Sequence, residues 1–284
     1  MPYPPSHATV STDWLAAHLN TPDVRIVDAS WFFPTSGRDG RAEFEGQHIP
    51  GSVYFDINDI ALQGTTLPHM VPDAATFAAK VSKLGLGDGL RIIVYDRSGG
   101  AMAAARVWWM FRLFGHEDAS VLDGGMTKWL REGRPTSDLA ITPRERLFTP
   151  YPAPALLRRK SDILANLAEL AEQVVDARSA LRFAGQGSEP WPHRKVGRIP
   201  GSLNLPWEDL LDPDSRALLP ADTLRARFQS AGVDLDRPIS VTCGSGVSSC
   251  LLALALFQLG RPDIAVYDGS WAEWGRDDDT PVAP

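Results

Sequence analysis

The chain repeats itself, and that limits its fold more than any other feature of the 284 residues. Residues 26–30, "IVDAS", return 148 positions later as 174–178, "VVDAR". Residues 48–52, "HIPGS", return after 150 positions as 198–202, "RIPGS". Residues 121–125, "VLDGG", return after 145 as 266–270, "VYDGS". Three landmarks in one order at a nearly constant offset mean two similar domains and not a short-period solenoid. Prolines at 135, 143, 150, 152 and 154 mark a stretch without apolar periodicity, the composition of a linker. The expected organisation is a first domain over 8–136, a Pro-rich linker over 137–160 and a second domain over 161–284.

Each half reads as α/β. The β-branched runs "VRIVDA", "RIIVY" and "SVLD", then "QVVDA", "ISVTC" and "IAVYD", have the length and composition of strands. Two long apolar segments, "AMAAARVWWMFRLFG" and "VSSCLLALALFQLG", read as helices, each closed by a glycine in C-cap position, Gly115 and Gly260. Helix starts are expected near Ser11-Thr12-Asp13 and near Ser161-Asp162. Alternating strands and helices predict a mostly parallel sheet in each half with helices on both faces, and ligands at the carboxyl ends of the strands. Trp108, Trp109, Trp271 and Trp274 fall on helical segments and read as core.

Composition narrows the function. A net charge of −7 argues against nucleic acid or an anionic membrane as partner. No apolar run reaches the roughly 18 residues of a membrane span, and the start "MPYPPSHATVSTDW" lacks the basic and apolar regions of a signal peptide. Two cysteines, Cys243 and Cys250, cannot staple a fold of this size, and their spacing matches neither a paired zinc ligand nor Cys-x-x-Cys chemistry. A reducing, cytoplasmic location is expected.

Both cysteines lie in one stretch, "SVTCGSGVSSC". Cys243 closes a strand, a Gly-rich loop follows, and a helix starts near 247–249. Glycines let such a loop turn its N–H groups inward, and the helix adds its positive end, so a thiolate at the centre is stabilised. The competing reading, a buried structural cysteine, does not require flanking glycines and hydroxyls; for Cys250, inside the apolar helix, it is the reading adopted. The repeat places Asp96 where Cys243 stands, so only the second domain carries a nucleophile.

"CGSGVS" at a strand–helix junction, preceded by "RIPGS" and followed by "YDGSWAEW", resembles the tandem-rhodanese sulfurtransferases. "EFEGQHIPGSVYFDI" and "LDGGMTKWL" are similar to the family's N-terminal domain, which has no nucleophile, so the fold implied is two rhodanese-like domains. Within the family the chain looks most like the members that act on 3-mercaptopyruvate. The resemblance implies that Cys243 carries the sulfane sulfur as a persulfide, in a backbone cradle formed by Gly244, Gly246, Val247 and Ser248, with Ser245 helping to move a proton. It implies arginines that grip the donor's carboxylate. Arg182 matches the first; Arg194 is chosen for the second, although "GQGSEPWPHRK" differs in length from the family's "GTEPEPR". It also implies His48 as a partner of the loop serine, against the plainer reading that a histidine before Ile-Pro-Gly bonds a backbone carbonyl.

The implied partners are a small-molecule sulfur donor and a thiophilic acceptor such as cyanide, a thiol or a thioredoxin-like protein, with no metal or organic cofactor. Members preferring thiosulfate carry a basic loop, whereas Gly244 and Ser245 are uncharged; thiosulfate remains the alternative donor. Arg198, in place of a histidine, is expected to add positive charge near the entrance, and Ser248 to cap the helix. A phosphatase on this scaffold would need arginine where Ser249 stands, and no P-loop or Gly-x-Ser-x-Gly elbow is present. A non-catalytic sulfur-relay module is the rival from outside enzymology.

Overall fold

The computed structural model describes residues 7–191, 194–276 and 278–284. The first repeat supplies strands β1 (Thr9–Val10), β2 (Val24–Asp28), β3 (Ser52–Tyr54), β4 (Arg91–Tyr95) and β5 (Ala119–Leu122), and helices α1 (Thr12–His18), α2 (Gly40–Gly46), α3 (Ala74–Lys83), α4 (Met102–Leu113) and α5 (Gly125–Arg131). The second supplies β6 (Leu157–Arg158), β7 (Gln173–Asp176), β8 (Leu203–Asn204), β9 (Ile239–Thr242) and β10 (Ala265–Tyr267), with α6 (Lys160–Glu169), α7 (Ala180–Phe183), α8 (Ala221–Ser230), α9 (Ser249–Gln258) and α10 (Ser270–Trp274). The strand orders are β1-β5-β4-β2-β3 and β6-β10-β9-β7-β8, the same order once β6 to β10 are laid on β1 to β5. Every pairing in both sheets is parallel.

The inner strands and the two long helices are where the sequence is most apolar. Every residue of β4 and of β9 is buried. Helix α4 buries all but Arg112, and α9 is buried from Ser249 to Leu256, as helices apolar all round must be. Gly115 and Gly260 follow them at φ +87, the left-handed closing conformation that glycine adopts at least cost. Ser11 caps α1 by accepting the Trp14 N–H at 3.1 Å. The start of α6 differs slightly from expectation: Ser161 is already inside the helix, and Asp162 reaches back to accept the Arg159 N–H at 2.7 Å. The four tryptophans read as core are each at most 1% exposed. Among the described residues no helix is long and apolar enough to cross a membrane.

The chain divides into two compact units, and the division is not a single cut. Residues 64–70 cluster with the second unit and 212–218 with the first. The Pro-rich segment also has a place. Residues 137–153 belong to the first unit as a strap: Ser137 and His48 exchange backbone hydrogen bonds of 2.8 Å, and the Tyr151 and Ala153 N–H groups donate to the Phe114 and Leu113 carbonyls. Phe148 is buried under the strap. A linker composition therefore codes here for extended chain lying on a surface. Gly87 permits the contact, since a Cβ there would lie 2.1 Å from the Leu147 carbonyl oxygen.

The duplicated aspartates at the ends of β2 and β7 show how the repeats have diverged. Asp176 is clamped by the Arg178 guanidinium, with Nε and Nη2 at 2.9 and 2.7 Å from Oδ2. Asp28 has Ser30 in the place of that arginine. It accepts the Ser30 N–H at 2.8 Å, and its nearest cation, Arg97 Nε, is 3.9 Å away. Burial outweighs these contacts and lifts the Asp28 carboxyl to about 6.

Two tests follow. Gly87→Ala is expected to lift the strap, lowering stability by about 1–3 kcal/mol and opening residues 137–153 to limited proteolysis; an unchanged cleavage pattern and melting point would refute the close packing. For Asp28 the folded pKa is raised, so its favourable contribution is full at low pH and lost as pH rises from the unfolded value toward about 6. Asp28→Asn should therefore flatten the fall in stability over that window and be the more stable protein at pH 8, by about 1–3 kcal/mol, in denaturant titrations at pH 4 and pH 8.

Candidate active site

Cys243 directly follows β9, at the carboxyl end of the second sheet, and is 2% exposed. Its backbone is fixed from below. The Cys243 N–H donates to Ser270 Oγ at 3.2 Å, Ser270 Oγ donates to the Tyr267 carbonyl at 2.7 Å, and the Cys243 carbonyl accepts the Trp271 N–H at 3.0 Å. Ser270 sits at φ +48, a conformation costly for a non-glycine residue, held where its hydroxyl meets the nucleophile's backbone.

The electrostatics of the thiol are a contest. Burial pushes its pKa up. The hydroxyls of Ser248 and Ser249 and the N–H groups of Ser249 and Ser245 pull it down, and together they prevail, leaving the thiol below its ordinary value. Here the structure corrects one expectation. Ser248 makes no capping bond to α9; its hydroxyl is turned to the sulfur instead. Ser249 Oγ is buried without a hydrogen-bond partner among the described residues, close enough to the thiol to lower its pKa. Gly246, at φ +75, supplies the turn of the loop, and its carbonyl accepts from Cys250 Sγ at 3.2 Å. Cys250 is fully buried in α9 and is not in a disulfide. Val247 is also buried, as part of the cradle wall.

Arg182, on α7, reaches this loop. A Cβ on Gly244 would lie 2.9 Å from Arg182 Nη2, so the missing side chain is what lets the guanidinium lie against the loop. Its Nη2 donates to Glu189 Oε2 at 2.5 Å, while its Nε is buried without a hydrogen-bond partner. Arg194 is half-buried with its Nε away from water. Arg198 has its contacts within the second unit. It donates to the Pro284 carbonyl, shares a backbone bridge with Ala283, and its guanidinium lies 5.0 Å from the centre of the Phe183 ring.

The histidine beside the loop serine is one that sequence reasoning passed over. His69 Nδ1 and Ser245 Oγ are hydrogen-bonded at 3.0 Å, both residues being buried. His69 lies in the 64–70 segment that clusters with the second unit, at φ +59. Trp191 stands edge-on to its ring, with centroids 6.0 Å apart. His48 belongs to the first unit, where its ring stacks on Phe44 and its Nδ1 is 2.7 Å from the Phe44 carbonyl oxygen, the contact of the plainer reading, while Nε2 is buried without a partner among the described residues. The signal that points to His69 is again the repeat. Its counterpart 147 positions on is Arg216, also at positive φ, in the segment that crosses the other way. Arg216 Nε donates to the Gly99 carbonyl, in the first-repeat loop. Among the described residues no group of three or more His, Cys, Asp or Glu side chains is placed to hold a metal ion.

With this geometry in view, the comparisons with known proteins are specific. The model of the rhodanese-like domain matches residues 11–132 and again 160–277. The 3-mercaptopyruvate sulfurtransferase of Homo sapiens is 42% identical over 272 residues, covering 94% of this chain and 91% of that protein. The thiosulfate sulfurtransferase of Mus musculus is 41% identical over 277 residues, covering 95% and 92%. The crystal structure of SseA from Escherichia coli, described with the rhodanese fold of 3-mercaptopyruvate sulfotransferases, superposes with a TM-score of 0.85 at 37% identity, covering 94% of this chain and 99% of that one. Twice over, in two consecutive domains, this chain belongs to the rhodanese family.

Proposed function

We propose that the protein is a sulfurtransferase that takes sulfur from 3-mercaptopyruvate onto Cys243 and passes it to a thiophilic acceptor, releasing pyruvate. The observation that carries the reading is the cradle: a buried thiol pulled below its ordinary value by uncharged donors, with one guanidinium lying against the adjoining Gly244.

The chemistry follows from these groups. Arg182 receives the donor's carboxylate, with Arg194 assisting from the neighbouring segment. The Cys243 thiolate attacks the donor's sulfur. A sulfur–sulfur bond forms, the carbon–sulfur bond breaks, and its electron pair stays on carbon as the enolate of pyruvate. The proton from the donor's thiol moves to that carbon through Ser245, whose hydroxyl is oriented by His69. The N–H groups and hydroxyls that held the thiolate now hold the persulfide anion. Cyanide, a thiol or a thioredoxin-like protein attacks the outer sulfur, and the Cys243 thiolate returns, a double displacement.

An uncharged loop suits a donor bearing one carboxylate better than the doubly charged thiosulfate, which decides between the two activities found among the relatives. A cytoplasmic location, with freely diffusing donor and acceptor, fits a reaction that depends on a reduced thiol.

Cys243→Ser is expected to abolish pyruvate release from 3-mercaptopyruvate, and a variant turning over at the parent rate would remove Cys243 from the mechanism. The pH profile of Cys243 alkylation should rise below that of an unperturbed cysteine, because the folded pKa is depressed. Replacing Ser248 and Ser249 together by alanine should move that profile upward; an unmoved profile would show that the hydroxyls do not hold the sulfur. Ser245→Ala and His69→Gln should each lower kcat by about 10²-fold, and the double variant by no more than either alone. Independent, multiplying losses would separate the two residues.

A further inference from the structure

Behind Arg182 stands a buried carboxylate that the reaction above does not use. Glu189, in the stretch where the sequence departs in length from the family pattern, has a side chain only 4% exposed and lies between two guanidinium groups. Oε1 accepts from Arg178 Nη1 at 2.8 Å, and Oε2 accepts from Arg182 Nη2 at 2.5 Å. The two arginines are not equivalent. Arg178 is immobile: its side chain is fully buried, its Nε and Nη2 bind Asp176, Nη2 also donates to the Gly197 carbonyl at 2.8 Å, and the guanidinium lies 4.2 Å from the centre of the Trp271 ring. Arg182 comes from a helix of four residues and is partly open to solvent. Glu189 is thus a bridge from a fixed post to a guanidinium that lies against the Cys243 loop.

We propose that Glu189 is a positioning residue that sets donor specificity, an inference resting on the sulfurtransferase reading above. It has two effects. It holds Nη2 of Arg182, so the guanidinium stays against Gly244 and leaves Nε, which has no hydrogen-bond partner among the described residues, for the donor. It also sets the local charge. Asp176 and Glu189 balance Arg178 and Arg182, so the cluster as a whole carries no net charge. A donor with one carboxylate leaves the occupied cluster at a single negative charge, whereas a dianion leaves it at two. The lone carboxylate can pair with Arg182, while a second charge finds no uncompensated cation within the cluster. Removing the Glu189 charge supplies one. At separations of a few ångströms within a protein, one unit charge changes relative affinity by about tenfold.

The test uses the full chain and three substitutions, with kcat/KM measured for 3-mercaptopyruvate and for thiosulfate, cyanide being the acceptor in both. Glu189→Gln should raise the thiosulfate-to-mercaptopyruvate ratio by about tenfold and raise KM for mercaptopyruvate more than it lowers kcat. Glu189→Asp keeps the charge on a shorter arm, so both KM values should rise while the ratio stays within about twofold. Glu189→Ser, which leaves room for water, gives the same reading of the ratio should the amide variant fail to fold. A ratio unchanged in folded Glu189→Gln or Glu189→Ser, with the parent active on mercaptopyruvate, overturns this inference and leaves the proposed function standing. A parent protein that releases no pyruvate overturns both.

Discussion

A buried anion at the junction of a strand and a helix has to be held by something other than water, and both repeats are built around that requirement. In each, the helix begins six residues after the residue that closes the central strand, Asp96 before α4 and Cys243 before α9. In each, the N–H two residues on turns back to that side chain. The first repeat fills its cradle permanently: Asp96 Oδ1 accepts from the Ser98 N–H and hydroxyl, and Oδ2 accepts the Ala104 N–H at 3.0 Å. A carboxylate cannot accept sulfur, and this one leaves no room for an incoming anion. The second repeat fills the same place with a side chain that becomes an anion only when the cradle is strong enough.

That strength depends on the donors gathered around the side chain. Burial raises the Asp96 pKa and the donors around it do not restore it, whereas the donors around Cys243 overcome an equally complete burial. Ala101 and Met102 stand where Ser248 and Ser249 stand. The first repeat keeps backbone donors and the Ser98 hydroxyl around Asp96, and burial prevails there. Ser248 gives up its capping bond to α9 in this exchange, a local loss that the apolar packing of the helix absorbs.

Repetition and apolar runs made the central architecture readable. The six β-branched runs correspond to β2, β4, β5, β7, β9 and β10, because inner strands must be apolar on both faces. The edge strands β1, β3, β6 and β8 escaped notice, being two or three residues long and recruited by a neighbour rather than by their own composition. Cys243 and Gly244 stand out in the sequence because a strand end, glycines and hydroxyls meet there, whereas Arg182 came only from the family resemblance. The residues that open the "HIPGS" and "RIPGS" landmarks have structural partners that the sequence did not show, the Phe44 carbonyl for His48 Nδ1 and the Pro284 carbonyl for Arg198. Ser248 misled because a hydroxyl at a helix start can accept a backbone N–H or donate to a nearby sulfur, and sequence does not rank the two.

His69 shows what pairwise comparison of the repeats can still yield. "LPHMVP" carries no apolar period and no familiar spacing, so it has no local signal. Its counterpart in the second repeat, Arg216, shares with it only a strained backbone, φ +59 against φ +60. Strain of this kind persists where surrounding contacts over-determine it. Here the contacts are the two cradle loops, His69 to Ser245 and Arg216 to Gly99. The duplication thus preserved a backbone device, a crossing segment whose tip meets a loop, and let the residue at each tip follow the chemistry of the loop it meets. Beside the loop closed by its own carboxylate the tip is a cation that binds a carbonyl. Beside the loop that holds a reactive thiol it is an imidazole hydrogen-bonded to the loop serine.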